Sequence, residues 1–188
     1  MSISKPTIVG FIGTILLLFT VSGNVGAQNA AGLSLVERSG EWDSYLMQKA
    51  DYNSAVYEVA LPSKNAQTPY SLVIGRPYAN CDSPTVTYYL APAVEEEINH
   101  GNLKGSLKVG EQTFDVTYGL ESTGTGVFTI RLTRFDQAMI AAMRDSPSAE
   151  ISFPDLDNFT TTASLAGFAA AWERAGVLCG NGQGIKLF

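Results

Sequence analysis

The sequence predicts a mainly β fold: an antiparallel β-sandwich, or a partly open barrel, with two short helices in the C-terminal third. Three observations carry this. Apolar and polar residues alternate with period two through the middle of the chain. Turn residues punctuate the alternating runs. Near the end the period changes from strand-like to helical in two places.

The first segment reads as an export signal. Lys5 precedes the apolar run "TIVGFIGTILLLFTV", and "SGNVGAQ" follows with Val25 and Ala27 at the −3 and −1 positions of a cleavage site. Cleavage is expected between Ala27 and Gln28, with Ala30 or Ala31 as the alternative position. The run is short for a spanning helix of ~20 residues, and no later stretch is long or apolar enough to cross a bilayer. Residues 1–27 are therefore assigned to a signal peptide and 28–188 to a single exported domain, periplasmic or secreted. "NVGAQNAAG" and the terminal "GNGQGIKLF" read as mobile ends.

The strands follow in order. In "AVYEVAL", Tyr57, Val59 and Leu61 share a face. Leu72 and Ile74 do so in "YSLVIG", and Val86, Tyr88 and Leu90 in "TVTYYL", opposite Thr85, Thr87 and Tyr89. "TFDVTY" sends Phe114, Val116 and Tyr118 inward. "FTIRLT" does the same with Phe128, Ile130 and Leu132, and "AEISF" with Ala149, Ile151 and Phe153. One apolar and one polar face per strand marks antiparallel sheet wetted on one side. Pro62-Ser63, Gly75-Arg76-Pro77, Asp82-Ser83-Pro84, Gly101-Asn102, Gly110-Glu111 and "STGTG" at 122–126 are the turn signals. "PDLDN" at 154–158 reads as the hairpin turn between the last two strands, because Asp and Asn suit turns.

In the first helix, "FDQAMIAAMRD", Phe135, Met139 and Met143 form a stripe at i, i+4, i+8, and Thr133 with Asp136 resembles a capping box. The second lies in "TTTASLAGFAAAWERAGVLC". The threonines finish the last strand and Ser164 is the expected N-cap. Leu165, Phe168 and Trp172 fall on one face, Ala169 widens it, and Gly176 is the expected stop. Ser164, Leu165, Phe168 and Trp172 are thus expected to form a structural clasp over one end of the sandwich.

This C-terminal third, "RLTRFDQAMIAAMRDSPSAEISF…TTTASLAGFAAAWERAG", resembles the invasion-associated locus B proteins, small exported proteins of mainly alphaproteobacteria. Ser164, Leu165, Gly167, Phe168 and Ala171 match the family's terminal "SLkGFxxA". "GEWDSY" at 40–45 matches its early "gdWxvxC", with Trp42 as the tryptophan. The chain departs from the family in having no cysteine near Trp42 and no central "fxxC…GC" signature. Cys179 also lies outside the family pattern. The resemblance implies a periplasmic or secreted β-sandwich with no known chemistry, named for an association with host-cell entry.

Composition excludes some functions. The formal charge is −6, and losing Lys5 with the signal makes the mature chain more acidic still. The lysines and arginines are scattered, so nucleic acid is not an expected partner. Two cysteines, Cys81 and Cys179, leave one intramolecular pairing. Export favours a structural disulfide, with a reactive thiol pair as the alternative. His100 is the single histidine. Any Ser-His-Asp or Cys-His set would need it, and Glu96 with His100 makes only two metal ligands. "PDLDN" lacks the glycine and distal glutamate of an EF-hand loop, and "STGTGVF" precedes a strand, unlike a phosphate loop. "NFT" at 158–160 is a formal glycosylation sequon, relevant only in a eukaryotic host. No catalytic residue, cofactor or metal is assigned.

Tyr78, Tyr89 and Trp42 compete for interior space. The preferred reading packs Tyr89 beneath one of the helices; the alternative makes Tyr78 and Tyr89 an outward surface for a sugar or protein partner. The leading functional expectation is a non-enzymatic exported protein that binds an unknown protein or a component of the cell envelope. Alternatives are a periplasmic inhibitor or immunity protein against a cell-wall-degrading enzyme, and a hydrolase using two facing carboxylates. The sequence leaves the oligomeric state open.

Overall fold

A computed structural model describes residues 33–47, 55–64, 68, 70–90, 102–122 and 128–182. The signal segment, Glu96, His100, residues 123–126 and the last six residues lie outside them.

The strands are β1 (Leu33–Ser39), β2 (Trp42–Met47), β3 (Val56–Pro62), β4 (Tyr70–Pro77), β5 (Thr85–Leu90), β6 (Leu103–Val109), β7 (Gln112–Ser122), β8 (Phe128–Leu132), β9 (Ser148–Phe153) and β10 (Phe159–Ser164). Helix α1 (Gln137–Arg144) precedes β9, and α2 (Phe168–Gly180) follows β10. The ten strands make one antiparallel sheet in the order β1-β2-β3-β4-β5-β8-β7-β6-β9-β10. Its two edges, β1 and β10, do not pair, so the barrel is not closed.

The sheet is strongly curled. Five strand steps separate β5 from β10 in the order, about 24 Å in a flat sheet at ~4.8 Å per strand. Yet the Tyr88 hydroxyl donates to Thr161 Oγ1 at 3.1 Å. One apolar cluster fills the inside of the curl, drawing on both halves of the sheet and on both helices. Tyr57, Val59, Leu72, Ile74, Val86, Val116, Tyr118, Ile130, Ala149, Ile151 and Phe153 are buried, as their alternation predicts. Leu61, Tyr88 and Phe114 pack partly buried against them.

Three strands, β1, β2 and β6, are not among the alternating runs read from the sequence. In β2 both faces are covered, and Trp42 through Leu46 are all buried. β6 is broken by Gly105, where a Cβ would come within 2.6 Å of the Ser152 carbonyl oxygen. β1 carries an irregularity between Ser34 and Glu37 with Leu35 at φ 58°, which leaves Leu35 and Val36 facing outward on the edge.

The turn at 154–158 joins β9 to β10 as expected. Asp157 and Asn158 both take left-handed φ (50° and 56°), and Asn158 N–H donates to the Pro154 carbonyl at 3.1 Å. The caps differ from the sequence reading. Asp136, not Thr133, caps α1, its Oδ1 accepting from the amides of Ala138 and Met139 at 3.0 and 3.1 Å. Thr133 shares a hydroxyl hydrogen bond with Thr117 instead. Ser164 is not the N-cap of α2. It is the last residue of β10, and its Oγ accepts from Ala166 N at 3.3 Å in a tight turn. The helix starts only after Gly167, at φ 91°. Nor does Gly176 stop it: α2 continues to Gly180, and the Arg76 guanidinium packs beside Gly176.

Leu165, Phe168 and Trp172 are buried as the clasp requires. The Phe168 ring meets Trp42 edge-on at 5.0 Å and stacks on Trp172 at 6.1 Å. Trp42 Nε1 donates to the Ser164 carbonyl at 2.9 Å, and Glu41 N to the Ala166 carbonyl at 2.9 Å. The β1–β2 turn thus sits directly on the β10–α2 turn. Only glycine fits there: a Cβ on Gly167 would lie 1.9 Å from the Ser39 carbonyl oxygen, and one on Gly40 (φ 59°) 2.5 Å from that of Ala166. Gly167→Ala is expected to cost about 3 kcal/mol or more in urea unfolding. A loss below about 1 kcal/mol would show that the two turns can separate without consequence.

Candidate binding cleft

Where the sheet fails to close, it leaves an open cleft of about 580 Å³, within the range of ligand-binding clefts. Thr161, Thr162, Ala163 and Ser164 of β10 form one wall, with Pro147 and Ser148 beside them. Leu61, Pro62, Ser63 and Lys64, at the end of β3, form the other. Tyr88, Ser71 and Glu41 complete the lining.

The lining is rich in hydroxyls. Tyr88 and Thr161 are joined to each other across the curl, and Ser71 Oγ donates to the Leu61 carbonyl at 3.2 Å. Glu41 and Lys64 supply the charge. Glu41 is the one carboxylate among the described lining residues. Among the described residues, no group of three or more His, Cys, Asp or Glu side chains could hold a metal ion.

Tyr78 and Tyr89 do not form one surface. The β4–β5 register pairs Leu72 with Tyr88 and Gly75 with Thr85. Tyr89 therefore lies near the cleft end of the sheet and Tyr78, past the end of β4, at the opposite end. Tyr78 is 37% exposed beside Gly182, after the last turn of α2. Tyr89 is not beneath a helix. It packs on the outer face of the sheet against a small cluster of Tyr45, Ala60 and Val73, with Tyr70. The reason is parity: the helices cover the even-numbered inner face of β4 and β5, and Tyr89 is odd. Tyr45 and Tyr70 stack at 5.5 Å. Burial, with the Glu58 carboxylate nearby, pushes the Tyr45 and Tyr89 hydroxyls above the usual phenol range. Burial chiefly does the same for Tyr70, helped by Asp43 and Glu58.

Cys81 and Cys179 form a disulfide across 98 residues, with Cα atoms 6.1 Å apart. Cys179 lies in the last turn of α2, not beyond it. Beside the bridge, Arg76 stacks 3.6 Å from the Trp172 ring and donates to the Cys81 carbonyl at 3.0 Å. Burial draws its guanidinium below the usual range. At the other side of α2, Arg174 donates to the Ser44 and Leu35 carbonyls at 3.1 and 2.6 Å and pairs with Glu37 at 2.5 Å. The helix is therefore fixed to the first four strands along its length.

The sequence reading missed the cleft because it treated Thr160–Thr162 only as the end of a strand. Three successive threonines give a strand polar on both faces, a signal for an edge.

No protein-family model matches the chain, and no curated protein does. The structure is similar to invasion associated protein B from Bartonella henselae. The two are 18% identical, with a TM-score of 0.49, over 79% of this chain and 99% of that one. The likeness is one of fold. No helix among the described residues is long and apolar enough to cross a membrane.

Two outcomes follow from these groups. Replacing both Cys81 and Cys179 by serine should lower stability by up to about 4–5 kcal/mol in urea unfolding, the cost of reopening so long a loop; equal stability would mean the bridge constrains nothing. Stability should also fall at alkaline pH. Burial, with Asp155 nearby, raises Tyr118 to about 12, and Tyr45, Tyr70 and Tyr89 are raised too. Unfolded tyrosines ionise near 10, so the unfolded chain loses these protons first. Their stabilisation is complete below about pH 10 and is lost as pH climbs through the folded values. Tyrosinate absorbance should then rise together with unfolding; phenols that ionise in a still-folded chain near 10 would contradict the assignment.

Proposed function

We propose that the chain is an exported binding protein without catalytic chemistry, and that its cleft takes a protein or a component of the cell envelope. The observation that carries this reading is the cleft itself, a hydroxyl-lined opening held in shape by the curl of the sheet and the clasp at its end. The disulfide supports an oxidising compartment, in keeping with the export signal read from the sequence. A lining of serine, threonine and tyrosine hydroxyls suits neutral polar ligands, which they can both donate to and accept from.

The test places a photoreactive amino acid at Lys64, in the cleft, and in a second variant at Val177, 60% exposed on α2. Each is crosslinked in native envelope extract. Discrete adducts from position 64 and none from 177 are expected. No adduct from 64, or the same adducts from both, would remove the cleft as the binding surface. If the adduct is a cell-wall-degrading enzyme that loses activity at stoichiometric ratio, the protein is an inhibitor of that enzyme.

A further inference from the structure

The cleft wall made by β10 contains residues of both parities, Thr161 to Ser164 in succession. A cavity lying over one face of a strand touches alternate residues. One that touches every residue runs along the strand's edge. Among the described residues β10 has one neighbour in the sheet, β9, so this is the edge that no described strand occupies.

The register shows which main-chain groups face it. Leu165 N donates to the Pro147 carbonyl at 2.9 Å, and Ala163 and Thr161 are paired with Ala149 and Ile151 in the same frame. In an antiparallel ladder, hydrogen-bonded and non-bonded pairs alternate. The odd residues of β10 thus bond to β9, while Thr160 and Thr162 turn both N–H and C=O toward the open side. The ladder has a defined end: the Ser164 carbonyl already accepts from Trp42 Nε1. The side chains agree, since Thr161 points inward to Tyr88 while Thr160 and Thr162 are exposed.

We infer that this edge takes an extended peptide segment of a partner protein as an additional strand of the sheet. Main-chain donors and acceptors repeating every second residue along an open edge match a strand and do not match a sugar ring. The groove beside them is walled by Leu61, Pro62 and Tyr88 with Lys64 at its end, so the inward side chains in the middle of the segment are small or apolar, and a charge is accommodated only at the end that meets Lys64. The proposal rests on the cleft being the binding surface and adds the class of partner and its mode of recognition.

The probe is a phage-displayed library of linear twelve-residue peptides, selected on the disulfide-bonded mature chain. The expected result is enrichment of sequences without charge in their middle. Synthetic copies should lose affinity about tenfold or more when an amide facing β10 is N-methylated, and much less when the adjacent amide is, since each ladder bond is worth about 1 kcal/mol and methylation adds a steric block. Thr162→Pro should weaken the same peptides, because it removes an outward N–H while leaving the bonds to β9. N-methylation leaves the protein untouched, so the proposal does not depend on that variant folding. No enrichment, or peptides indifferent to which amide is methylated, would overturn it. So would an envelope polysaccharide bound equally by the parent chain and by Thr162→Pro, although the cleft would then still be the binding surface.

Discussion

The contact between two turns, Ser39–Trp42 and Ser164–Phe168, sets the geometry of the rest. A ten-stranded antiparallel sheet has no intrinsic reason to stop curling at one radius. Here the curl ends where Gly40 meets Gly167, because backbone approaches backbone more closely than any side chain allows. Trp42 then locks the contact from inside. Its ring is buried against Phe168, and its indole N–H takes the Ser164 carbonyl. Everything distinctive downstream follows: where β10 ends, the direction in which α2 leaves, and the width of the gap along β10. The two stretches that carry the sequence resemblance, "GEWDSY" and "SLAGF", are the two sides of this contact. A motif divided by more than a hundred residues is one object in space.

Legibility in the sequence tracked how each residue meets water. Strands with one wet face announced themselves by period two, and Tyr57–Val59, Leu72–Ile74 and Ala149–Ile151–Phe153 are buried as read. β2 gave no such signal because it is covered on both sides, so alternation had nothing to report. In β6 a glycine needed for close approach to β9 broke the pattern. The start of α2 was misread because local chemistry favours Ser164 as a cap, whereas the tertiary contact at Gly167 delays the helix by a turn. The cleft was illegible for a different reason. Three threonines in a row mark an edge strand, but which other elements wall the space beside that edge depends on strand order and curl, which no local stretch encodes.

The molecule also divides its labour between its two ends. At one end, the Cys81–Cys179 bridge, the Arg76–Trp172 stack and the end of α2 form a closed, heavily cross-braced region. At the other end, the seam between β3 and β10 stays open, and among the described residues no strand pairs with the outer edge of β10. An exposed edge ordinarily invites promiscuous strand pairing.

The disulfide has a consequence for how the protein is made. Cys81 emerges long before Cys179, and the stretch between them, at a sequence separation of 98, includes six of the ten strands and the whole of α1. During synthesis, Cys81 therefore spends most of the time as a solitary thiol with no legitimate mate in its own chain. It is open to capture by small thiols or by another nascent copy. The bridge can therefore close only once nearly the whole chain has been made, so it fixes a nearly complete fold rather than guiding its first steps.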